Sequence, residues 1–123
     1  MSDAVSKHLR ADTAWDQVSV RQLLTHSSGM SHWADQPGFV ASTPMPAHER
    51  LRLLLAGPRP RPAGEAFAYS SPGYVVLSAV VAAAGQRPYP ELARELVIEP
   101  LGLAATHLTT PGPGPAALRP PPR

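Results

Sequence analysis

The chain has 123 residues, 43% of them hydrophobic, with no cysteine and with 11 basic against 9 acidic side chains. That length allows one domain around one core, the missing cysteines exclude disulfides and thiolate metal sites, and no apolar run approaches the ~18 residues of a membrane span. Lys7 is the single lysine, Arg119 and Arg123 in the tail inflate the basic balance, and no basic stripe emerges, so nucleic acid is not expected as a partner.

Residues 1–17 read as a polar lead-in with apolar anchors at Val5, Leu9 and Trp15 and no sustained helical period. An early acid and the lack of an apolar stretch mean that Met1–His8 does not resemble a signal peptide, which leaves a cytoplasmic location as the default expectation. Ser19-Val20-Arg21-Gln22 matches a capping box, a hydroxyl at the cap with an amide three residues on. It predicts a helix over 20–27, with Val20, Leu23 and Leu24 on one side and Gly29 placed to end it in a left-handed turn. Residues 30–45 hold Met30, His32, Trp33 and Phe39 among Pro37, Gly38 and Pro44, the composition of a surface loop with aromatic anchors. A second helix is predicted over 46–56, its apolar face made by Leu51, Leu54 and Leu55 and its stop by Gly57-Pro58. The alternating prolines that follow lack amide donors, so 57–64 is expected to be a stiff extended connector.

The stretch Pro62–Val76 organises the rest. Ser71-Pro72 is a helix start, because serine can cap a first-turn amide and proline loses no needed donor there. The helix predicted over 72–84 is apolar all round and too short to span a membrane, so it belongs in the core. Tyr69 and Ser70 then lie at the lip of a helix N-terminus, where amide donors face outward. A fourth helix is expected over 90–99 with Leu92, Leu96 and Val97 inward, and the last thirteen residues, six of them proline, read as a disordered tail.

Three segments carry a family resemblance. Val20-Arg-Gln-Leu-Leu-Thr-His-Ser-Ser-Gly-Met30 resembles the "VRQLLTHTSGL" segment of serine β-lactamase and penicillin-binding-protein-like hydrolases, a group that includes class C β-lactamases, esterases and D-aminopeptidases. Pro62–Tyr74 resembles their "PG…F.YSN.GY" segment, and Val97–Leu103 their "IFEPLGM" segment. The resemblance implies a mainly α chain: the helical region, over residues 1–110, of an α+β fold lacking most of its sheet, followed by the Pro/Gly-rich tail 111–123. It also implies acyl transfer to an amide or ester through a serine, with β-lactam, ester and D-amino-acid peptide substrates all open. Small molecules or peptides are therefore the expected partners of a complete enzyme, with self-association or a complementary fragment as further possibilities, and no cofactor or metal is expected.

That chemistry needs Ser-x-x-Lys on a helix, Tyr-x-Asn, and Lys-Thr-Gly or His-x-Gly on a strand. The one-turn spacing of the first lets an amine assist the hydroxyl's deprotonation. Ala4 stands three residues before Lys7, so Ser-x-x-Lys is absent, and neither strand triplet occurs. The resemblance places Tyr69 as general base or relay and Ser71 where the family has asparagine, a change that loses two amide donors. A phenol titrates near pH ~10 in water and is a poor base at neutral pH without nearby cations. The chain therefore reads as part of a serine hydrolase without the nucleophile, inactive alone, or as a non-catalytic helical binding module of the same descent. His26-Ser27-Ser28-Gly29 reads as a helix stop rather than a catalytic His/Ser pair, and His26 and His32 lack a third ligand at metal-binding spacing.

Overall fold

The computed structural model describes residues 1–11, 13–33, 36, 45–57 and 59–108, and the expected tail 111–123 and Phe39 lie outside them. Two compact units follow one another, Met1–Gln86 and Arg87–Arg123. Among the described residues the secondary structure is helical, with a single isolated antiparallel bridge between Ala4 and Ser19 in place of any strand.

In the first unit the capping box forms as expected: Ser19 Oγ accepts from the Gln22 amide at 3.2 Å and Gln22 Oε1 accepts from the Ser19 amide at 3.0 Å. The helix it starts, α1 (Val20–Leu24), is shorter than predicted. The chain leaves it at His26, which itself takes a left-handed φ of +56°, three residues before Gly29 does so. The reason is tertiary: the residues after Leu24 turn away to bond the segment around Tyr69, described below. The lead-in is also more ordered than its sequence suggests. Short 3₁₀ turns at Val5–Lys7 and Thr13–Gln17 bury Val5 and Trp15. The Val5 amide donates to the Val18 carbonyl at 2.8 Å and the Val20 amide to the Asp3 carbonyl at 2.9 Å, tying the N-terminus to the start of α1.

Helix α2 (Ala47–Ala56) buries Leu54 and packs Leu51 and Leu55 partly against the core. The Trp15 indole N–H donates to the Leu55 carbonyl at 2.8 Å, and the Arg59 guanidinium stacks on the Trp15 ring. Helix α3 (Ser71–Gly85) touches both α1 and α2. Val76 and Val80 enter the core with Val5, Trp15, Val18, Leu23, Met30 and Leu54. Burying such a side chain is worth roughly 1.5–3 kcal/mol. The helix has four buried residues against one each in α1 and α2, as its apolar sequence predicts, but its end is not core, since Val81 and the residues at 83–85 are exposed. Trp33, read from the sequence as an aromatic anchor of its loop, packs partly against the same core.

The second unit contains α4 (Tyr89–Ala93), which runs directly into a π-helical turn over Arg94–Ile98. There the Glu99 amide reaches back to the Arg94 carbonyl at 2.9 Å and the Leu103 amide to Ile98 at 3.0 Å, five residues in each case. The wider turn breaks the α-helical register. Leu92 is buried as expected, whereas Leu96 and Val97, expected inward, are 69% and 49% exposed. No helix among the described residues is long and apolar enough to cross a membrane.

Candidate active site

Two of the three motif segments meet in the first unit. The stretch after α1 runs beside residues 64–71: the Gly64 amide donates to the Ser27 carbonyl at 2.7 Å, and the Ala68 amide to the His26 carbonyl at 2.8 Å. Gly29 makes this approach possible. A Cβ there would stand 2.0 Å from the Arg61 carbonyl oxygen, and its φ of +88° favours glycine as well. Beneath it, Ser28 is buried and its Oγ accepts from the Met30 amide at 3.3 Å.

The start of α3 differs by one residue from its sequence reading. Ser70, not Ser71, is the cap: it is buried, its Oγ accepts from the Gly73 amide at 3.2 Å and donates to the Ser31 carbonyl at 3.1 Å. Pro72 consequently stands one position deeper, still within the first turn where a missing N–H costs nothing. The amides of Ser70 and Ser71 do not point into water. Ser70 N donates to His26 Nδ1 at 3.1 Å, and Ser71 N donates to His32 Nδ1 at 3.3 Å.

Tyr69 lies between these bonds with 60% of its surface exposed. Its ring centroid is 4.7 Å from that of His26 and 5.2 Å from that of His32. Tyr74 also stacks on His26, at 5.0 Å, and is anchored by its hydroxyl, which donates to the Leu24 carbonyl at 2.7 Å. Phe67 meets the same imidazole edge-on at 5.8 Å. Tyr69 and Ser71 are thus brought into one cluster, together with two histidines that the sequence reading had set aside. Nothing local marks His26 and His32 as partners of this segment, because their bonds join residues 44 and 39 positions apart.

The arrangement limits what the histidines can do. A backbone N–H only donates, so each Nδ1 must be an unprotonated acceptor, and the imidazoles in this geometry are neutral. They are neither cations for the phenol nor a base for Ser27 or Ser28; Ser27 Oγ bonds Thr25 Oγ1 at 3.0 Å instead. Lys7 sits 3.5 Å from Asp3. Its positive charge, with a hydrogen bond from His8, holds the Asp3 carboxyl below the usual carboxylate value of 3.8. No three His, Cys, Asp or Glu among the described residues are grouped to hold a metal ion.

Comparison with known proteins points one way. The family model described as Beta-lactamase matches residues 1–122. A beta-lactamase/D-alanine carboxypeptidase from Yersinia pestis superposes with a TM-score of 0.74 at 26% identity, covering 89% of this chain and 33% of that one. A D-stereospecific amidohydrolase from a Streptomyces species gives 0.68 at 26% identity, over 86% of this chain and 36% of that one. The octameric penicillin-binding protein homologue from Pyrococcus abyssi gives 0.67 at 26% identity, over 84% and 26%. The chain therefore spans about a third or less of the length of these structures. No curated protein matches it.

Proposed function

Because the chain belongs to the beta-lactamase family, we propose that residues 1–110 form the central helical part of a serine hydrolase acting on an amide or ester through an acyl-serine. Tyr69 is its general base or relay, and Ser71 occupies the position of the asparagine that orients lysine or substrate in that family. The observation that carries this reading is the family match over residues 1–122. The meeting of the Val20–Met30 and Pro62–Tyr74 segments at Tyr69 supports it.

Taken alone, the chain is inactive. An acyl-serine needs a hydroxyl deprotonated by an adjacent base, and the sequence has neither Ser-x-x-Lys nor Lys-Thr-Gly or His-x-Gly. Its substrate, whether β-lactam, ester or D-amino-acid peptide, is set by parts that these residues do not include.

The test has two arms. The purified chain, given a chromogenic cephalosporin and a nitrophenyl ester, is expected to show no turnover above background. Turnover that survives repurification and is lost on replacing Ser27, Ser28, Ser70 or Ser71 by Ala would contradict it. Combined with a polypeptide supplying Ser-x-x-Lys, the sheet and His-x-Gly, the chain is expected to restore hydrolysis that Tyr69→Phe abolishes. A complex that forms but stays inactive favours the other class, a non-catalytic helical module.

A further inference from the structure

Both flanks of Tyr69 bond to one residue. The His26 carbonyl accepts from the Ala68 amide at 2.8 Å, and His26 Nδ1 accepts from the Ser70 amide at 3.1 Å. The amides of the residues before and after Tyr69 are thus held by the backbone and the side chain of a single histidine. To present both acceptors to one extended segment, His26 adopts φ +56°, a region that non-glycine residues seldom enter. An exposed phenol ring gains little from packing, so backbone bonds and ring contacts must fix it. His26 supplies both, with Tyr69 and Tyr74 against its imidazole at 4.7 and 5.0 Å.

We propose that His26 is a positioning residue for Tyr69, setting where the phenol stands through the paired acceptors O and Nδ1. The inference rests on the reading of Tyr69 as general base or relay. The imidazole acts as a neutral acceptor and takes no part in proton transfer. His32 extends the device to the next amide, at the longer distance of 3.3 Å and from an exposed position, so it is secondary. The same geometry explains why the chain tolerates an energetically poor backbone conformation here: straightening His26 would withdraw one acceptor or the other.

A ¹⁵N-labelled chain tests this directly. A scalar coupling across the N–H···N bond between the Ser70 amide and His26 Nδ1 is expected, and its absence overturns the proposal. Two variants then separate the acceptor from the ring and from the backbone. His26→Asn and His26→Gly both lose the imidazole and both accept a left-handed backbone, but only Asn retains a side-chain acceptor. Amide exchange at Ser70 is measured relative to the Val5 amide on the Val18 carbonyl, which reports the fold as a whole. The ratio should be about fivefold to tenfold higher in the Gly variant than in the Asn variant, the worth of one net hydrogen bond. Equal ratios overturn the proposal. If Tyr69 proves dispensable in the reconstituted hydrolase while the coupling and the ratio stand, the catalytic reading fails and the positioning contact remains.

Discussion

Ser70 has the most demanding place of any hydroxyl around Tyr69. Buried, it caps α3 through Gly73, donates to the Ser31 carbonyl, and gives its own amide to His26. Replacing a capping serine by alanine costs about 0.5–2 kcal/mol, and here the Ser31 carbonyl also loses one of two donors, keeping only Gln36 Nε2 at 2.8 Å. Ser70→Ala should therefore lower stability by about 2 kcal/mol, seen as a fall in urea midpoint at dilute concentration without a change in slope. Ser71→Ala should cost within about 0.5 kcal/mol, the usual range away from such features. A larger loss at Ser71 than at Ser70 would restore the cap to the position that the sequence suggests. That error of one residue has a plain cause. Two adjacent serines before a proline are equivalent in local chemistry, and the choice between them is made by His26 and His32, which occupy the two amides from far along the chain. Tyr69 itself was legible only through its flanking pattern, and its histidine neighbours through none.

Among the elements, the helices whose signals are local appear where their sequence places them. The capping box opens α1, Gly57 closes α2, and the apolar run after Ser71 is α3. Their ends were legible only where the stop is also local. The early break of α1 at His26 answers to the Tyr69 segment, and the π-helical turn after α4 exposes Leu96 and Val97 that a 3.6-residue period would turn inward. Helix α3 also carries an unused margin. Gly73 sits in its first turn with an ordinary helical backbone, and a Cβ there would meet Leu23 Cδ2 and Ser70 Oγ at 3.7 Å, normal contact distances. Gly73→Ala should stabilise the chain by about 0.5–1 kcal/mol, by narrowing the unfolded ensemble and improving helix propensity. A lower urea midpoint for this variant would mean that the contact with Leu23 is tighter than those distances indicate.

At the scale of the whole molecule, the first unit leaves an aromatic cluster uncovered. Phe67 is 70% exposed, and it gathers with Tyr69 and Tyr74 on the His26 ring. Contiguous apolar surface of this kind promotes association. The isolated chain is expected to bind a hydrophobic dye and to show an apparent mass that rises with concentration, and Phe67→Ser should reduce both. A monodisperse monomer that ignores the dye would count against this. The side-chain bonds that hold the Tyr69 segment and the start of α3 to the stretch after α1 join partners 39 to 50 residues apart. During synthesis, the acceptors of Leu24, His26 and His32 emerge well before the donors of Ser70, Ser71 and Tyr74 that bond them. The fold around Tyr69 cannot be assembled turn by turn, and waits for the ribosome to deliver Tyr74. The entropy of closing that loop grows only with the logarithm of its length, so the delay is set by translation more than by the reach of the chain.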